Sequence, residues 1–122
     1  MAFDVNSNIN TQLEDAIINT YFECELMGLR EKLTKLDRRN FTSSFKKRII
    51  DKINDCLDDG SSITLECAKI IDKTKGTNYE DEMLGIIAQN PLTARMVSDY
   101  HGYLAELRIK RELLRLGSNL WI

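Results

Sequence analysis

Pro91 is the only proline in a chain of 122 residues, and six glycines are its other strong backbone breakers. With so few interruptions, apolar residues recurring every three or four positions favour long helices over many short strands. No two-residue alternation appears before residue 118. The spacing predicts five helices. The first runs from about Thr11 to about Arg38, with an apolar stripe of Ile18, Phe22, Leu26, Leu29, Leu33 and Leu36. The last five of these step by 4, 3, 4, 3, the heptad spacing of a helix that packs along its length on a partner. Gly28 lies inside it and marks a close crossing or a weak point. The second helix starts at Thr42 or Ser43 and ends at Asp58-Asp59-Gly60, facing Phe45, Ile49, Ile53 and Cys56 or Leu57 inward.

A third helix is expected from about Ser62 to Lys75, burying Leu65, Ala68 and Ile71 and stopping at Gly76. Thr77-Asn78-Tyr79-Glu80 has the form of a capping box and launches a fourth, to about Gln89. Asn90-Pro91 starts the fifth, which extends to about Leu116 with Val97, Tyr100, Leu104, Leu107 and Leu114 on one side. The expected fold is all-α: one domain over 1–122, a compact bundle of about five helices with a long N-terminal and a long C-terminal helix. Gly117 reads as a helix stop, and 118–122 as an extended apolar tail. A strand cannot satisfy its backbone alone, so such an ending implies a missing remainder or a partner.

Composition narrows the class. No run of about 18 apolar residues exists to span a membrane, and Met1–Asn8 lack the basic-then-apolar pattern of a signal peptide. A cytoplasmic protein is expected, in the host cytoplasm if the source is viral. Cys24, Cys56 and Cys67 are an odd set without C-x-x-C spacing, so buried free thiols are expected rather than a zinc site. No metal or cofactor is assigned.

The net charge of −2 conceals a segregation of charge. Residues 1–29 carry five acids and no Lys or Arg, residues 30–48 carry a net +6, and 51–82 return to −5. The C-terminal helix adds Arg108, Lys110, Arg111 and Arg115. Such blocks suit pairing between helices or subunits as well as binding to a polyanion. Arg38, Arg39, Lys46, Lys47 and Arg48 bracket a turn and are the nucleic-acid-binding candidates, with Phe41 and Phe45 between them placed either to stack a base or to fill the core. A helix-turn-helix over Thr64 and the following helix is rejected, because Glu80-Asp81-Glu82 would face phosphate.

For catalysis the sequence offers little. His101 is the only histidine, beside Asp99 and within reach of Glu106, and no nucleophile elbow, phosphate loop or dinucleotide fingerprint accompanies it. No catalytic residue is assigned, and an enzyme is not expected. Gly102-x-x-Ala105-Glu106, a helix to Leu113, then Gly117 and the apolar Leu120-Trp121-Ile122 resemble the opening helix and strand of the PD-(D/E)XK nuclease superfamily. By that resemblance Glu106 would be the metal-site glutamate of the first helix. The pattern covers 102–122 only and holds none of the later Asp and (D/E)-x-Lys residues. It therefore implies at most an N-terminal fragment or subunit of a metal-dependent nuclease.

The sequence thus points first to a binding or adaptor protein working through protein–protein contacts, as a homo-oligomer or on a larger partner. The partner-binding candidates are Phe22, Leu26, Leu29, Leu33, Leu36, Leu120, Trp121 and Ile122. A composition rich in Ile, Asn, Lys and Asp suits a phage or mobile-element accessory factor in DNA metabolism or packaging. Direct nucleic-acid binding through 30–48 is the alternative.

Overall fold

The computed structural model describes residues 9–72 and 78–120. Among the described residues five α-helices account for the architecture: α1 Thr11–Leu26, α2 Ser44–Asp59, α3 Ile63–Asp72, α4 Tyr79–Ile87 and α5 Ala94–Leu120. Two single 3-10 turns, Arg30–Lys32 and Arg38–Asn40, lie between α1 and α2, and no strand occurs among the described residues. The fold is the expected all-α bundle. α1 packs on α3, α4 and α5, while α2 packs on α3 and on the Arg38–Asn40 turn, which also meets α5. Ile17, Ile18 and Tyr21 of α1, Ile49, Ile50 and Ile53 of α2, and Leu104 of α5 share one buried core.

α1 stops at Leu26 instead of continuing to Arg38. Gly28 adopts φ +73°, Leu29 N–H donates to Cys24 O at 2.8 Å, and Gly28 N–H donates to Glu25 O at 3.2 Å. This pair of bonds around a left-handed glycine is a Schellman stop. The heptad stripe is therefore not a continuous face. Leu26 is 72% exposed, Leu36 is buried in the core, and Leu29 and Leu33 are half-buried in the irregular segment. That segment is held by side chains in place of helical bonds. Tyr21 Oη donates to Thr34 O at 2.5 Å, and the Asn54 amide pairs with Leu36 in both directions, at 2.9 and 2.8 Å.

α2 has the boundaries its end signals predict. Ser43 Oγ accepts from Lys46 N–H at 3.0 Å, and Gly60, at φ +80°, donates to Cys56 O at 2.9 Å. α3 shows a different roll from the one expected: Ile63, Cys67 and Ile70 are buried, whereas Leu65 is 66% exposed and Ala68 is exposed. Its start is fixed from outside, because the Glu25 carboxylate of α1 accepts from Ile63 N–H at 2.7 Å and Thr64 N–H at 2.8 Å. Arg30 approaches the same carboxylate at 3.4 Å and donates to Cys56 O and Ser61 O, tying α1 to the α2–α3 corner.

Thr77 of the expected capping box lies outside the described residues, and Asn78 makes no side-chain cap bond at the start of α4. α5 begins at Ala94, three positions after Pro91. Leu92 N–H donates to Thr20 Oγ1 at 2.7 Å and Asn19 Nδ2 donates to Gln89 O at 2.8 Å, which holds the connection on α1. Thr93 then caps the helix by accepting from Met96 N–H. At its other end α5 runs through Gly117 to Leu120, so neither the stop at Gly117 nor a strand from 118 forms. Trp121 and Ile122 lie outside the described residues. The long C-terminal helix is present, at 27 residues, but α1 spans only 16.

Candidate nucleic-acid interface

The five cations singled out between 38 and 48 separate once the chain folds. Lys46 is 4% exposed and points into the bundle, its ammonium 3.0 Å from Asp15 Oδ1 and 3.5 Å from Glu14 Oε1. Glu14 is held there by Thr42, whose N–H donates at 2.9 Å and whose hydroxyl lies 3.0 Å from both carboxylate oxygens. Lys46 is thus withdrawn from the surface. Arg48 sits 5.7 Å from the Tyr79 ring centroid and lines a separate depression with Asp51, Lys52 and Asp55. Arg38 pairs with Asp51 at 3.2 Å. Phe41 and Phe45 are fully buried, so neither ring is available to stack a base.

Arg39 and Lys47 do come together, and α5 brings them company. A groove of ≈ 390 Å³ is lined by Arg39, Phe41, Thr42 and Lys47 on one side and by Arg108, Arg111, Glu112 and Arg115 of α5 on the other, with Ile9 at its edge. Arg108, Arg111 and Arg115 step by three and four, which puts them on one face of a helix. The sequence shows that spacing, but nothing local says that the face looks toward the turn some 70 residues earlier. These three arginines are the site residues that sequence reasoning missed.

The electrostatics are those of crowded cations. Burial pushes the Lys47 ammonium below its ordinary pKa, with the charges of Arg38 and Arg111 acting in the same direction. Lys47 Nζ donates to Phe41 O and, at 3.3 Å, to Arg38 O. Burial likewise lowers Arg111, with Arg115 and Arg108 adding to the effect while Glu14 opposes it. Arg39 forms a two-pronged pair with Asp37, Nη2 to Oδ2 at 2.8 Å and Nε to Oδ1 at 3.1 Å, and that bonding lowers Asp37 to about 2. Arg108 Nη1 lies 3.5 Å from the same carboxylate, and its Nε is buried without a hydrogen-bond partner. Guanidinium and ammonium donors gathered in a hollow suit the oxygens of phosphate, which accept several charge-assisted bonds at once.

A second depression, of ≈ 280 Å³ and mainly apolar, lies between α1, α3 and α4, with Phe22, Leu26, Cys67, Met83 and Ile87 in its lining. Of the expected partner-binding residues, Phe22 and Leu26 reach it. Leu29, Leu33 and Leu36 belong to the irregular segment, Leu120 ends α5, and Trp121 and Ile122 are not described.

His101 is half-buried, and Glu106 is exposed on α5. Among the described residues no cluster of three or more His, Cys, Asp or Glu could hold a metal. The three cysteines are free and buried as expected, and burial pushes the Cys67 thiol up to about 12. No helix among the described residues is long and apolar enough to cross a membrane. Comparison with protein-family models, with curated proteins and with solved structures gave no match.

Proposed function

We propose that this chain is a nucleic-acid-binding protein that holds a phosphate backbone in the groove between α5 and the Arg38–Asn40 turn. One observation carries the reading: Arg39, Lys47, Arg108, Arg111 and Arg115 line a single groove that contains one acid, Glu112. A phosphate chain entering it releases counterions and brings opposite charge to Lys47 and Arg111, which burial, with the neighbouring cations adding to it, holds below their ordinary values. The only aromatic ring in the lining, Phe41, is buried, so recognition is of backbone rather than of bases. The expected binding is insensitive to sequence and sensitive to salt.

Fluorescence anisotropy with mixed-sequence single-stranded and duplex fragments tests this across a salt series. The logarithm of affinity should fall linearly with the logarithm of salt, by about 0.9 per duplex phosphate neutralised. Lys47→Glu combined with Arg115→Glu should weaken binding by at least about a hundredfold, each reversal removing one favourable contact and adding a repulsive one. Arg48→Glu, outside the groove, should have little effect. Equal affinity for wild type and the groove double variant would eliminate the reading.

Protein docking is a second reading, favoured by the apolar depression between α1, α3 and α4. Leu26 and Ile87 line it and are exposed, as is Leu84 on the same helix as Ile87.

A further inference from the structure

The Arg38–Asn40 turn is joined to α5 by the Asp37–Arg108 ion pair and by one imidazole. His101 Nε2 accepts from Asp37 N–H at 3.1 Å and lies 3.0 Å from Asn40 Nδ2. A backbone amide can only donate, so Nε2 presents a lone pair, and the ring is neutral with its proton on Nδ1. The same ring stacks on Phe41, with centroids 6.2 Å apart. His101 therefore touches residues 37, 40 and 41, while Arg108 holds the Asp37 carboxylate. The 37–41 segment carries Arg39 and Phe41 into the groove and supplies the two carbonyls that Lys47 holds.

We propose that His101 is a proton-operated clip on the cationic groove: protonation of Nε2 expels the Asp37 amide, loosens the hold of α5 on residues 37–39 and weakens anion binding. The proposal rests on the nucleic-acid reading for its ligand, whereas the clip has a readout of its own. His101 is a positioning residue, outside the groove lining. One proton from solvent enters at Nε2 for each clip opened. Asn40 Oδ1 is buried without a hydrogen-bond partner, so a turned Asn40 amide offers the new N–H an acceptor. The Asp37 amide, by contrast, loses its acceptor, and this makes the two states mutually exclusive.

The charges facing the ring are the Asp37 carboxylate, which favours the imidazolium, and the Arg108 guanidinium, which opposes it. Arg39 already neutralises Asp37. Burial outweighs the carboxylate and holds His101 below its ordinary value, so the clip stays closed at neutral pH and opens only in acid. The sign is diagnostic. A cationic groove without a clip binds polyanions as tightly or more tightly as pH falls, because acids lose charge and cations do not. With the clip, affinity falls in acid, by at most about tenfold per pH unit for one linked proton.

His101 is the only histidine, so its Cε1–H resonance reports its titration without ambiguity. The experiment follows that resonance, exchange of the Asp37 amide, and anisotropy with a mixed-sequence DNA fragment at fixed ionic strength, from about pH 7.5 to about pH 5. Loss of Asp37 amide protection and of affinity should both track the histidine titration. His101→Gln, whose amide oxygen still accepts from Asp37 but does not titrate, should bind with no such pH dependence. His101→Leu, which cannot accept, should bind weakly throughout. Constant or rising wild-type affinity in acid while His101 titrates would overturn the clip, as would the same acid loss in His101→Gln. If DNA fails to bind at any pH but amide protection follows the titration, the clip stands and the nucleic-acid reading falls. If protection is indifferent to the titration, the clip is wrong whatever DNA does.

Discussion

A lysine ammonium set between two carboxylates inside a bundle is costly to assemble and costlier to break, because removing one partner strands the others without water. Lys46 is in that position with Glu14 and Asp15, all three buried. Asp15 Oδ1 is 3.0 Å from the ammonium yet makes no hydrogen bond of good direction, so its stabilisation is chiefly coulombic. Lys46→Ala should therefore lower unfolding stability by about 3–5 kcal/mol, measured by urea denaturation. A loss below about 1 kcal/mol would mean that the three charges are solvated, as at an exposed pair. In the sequence Lys46 is indistinguishable from Lys47 next to it. One residue of helical rotation, about 100°, sends the first inward to α1 and the second into the groove.

At the level of single elements, legibility follows how local the deciding interactions are. Both ends of α2 could be read, since Ser43 and Gly60 act on the helix's own backbone. The end of α1 could not, because a leucine repeat continued past it and Gly28 read as a blemish within a helix. A substitution tells the two apart by sign. In a continuous helix Gly28→Ala stabilises by about 1 kcal/mol, whereas at a left-handed stop it destabilises by about 1–2 kcal/mol. An added Cβ at Gly28 meets nothing within 4 Å, so the backbone alone sets the outcome. Destabilisation is expected, read from the thermal or urea midpoint, and a gain in stability would restore the long helix. The roll of α3 and the late start of α5 were hidden for a related reason. α3 turns Ile63, Cys67 and Ile70 toward α1 and α2, and Thr20 from α1 holds Leu92, two residues before the start of α5.

For the molecule as a whole, two surfaces stand apart: a cationic groove on the α5 side, and an apolar depression on the α1–α3–α4 side. If the second is a docking face, wild type should exceed the monomer mass in light scattering or retain a partner, and Leu26→Asp with Ile87→Asp should abolish this. A monomeric wild type without a partner, or an assembly that survives both aspartates, would remove that reading. The charge segregation in the sequence announced a basic region, and Arg39 and Lys47 were legible within it. Their α5 counterparts were legible only as a basic helix, with no sign of what it faced. By itself the sequence determined the all-α class, the five helices, the extent of α2 and the buried thiols, because breaker content, apolar period and end caps act within a few residues. Only the tertiary structure decided where α1 stops being useful as a stripe, which face α3 buries, and which cations share a groove. Those outcomes depend on side chains from distant segments competing for the same backbone donors and the same buried volume.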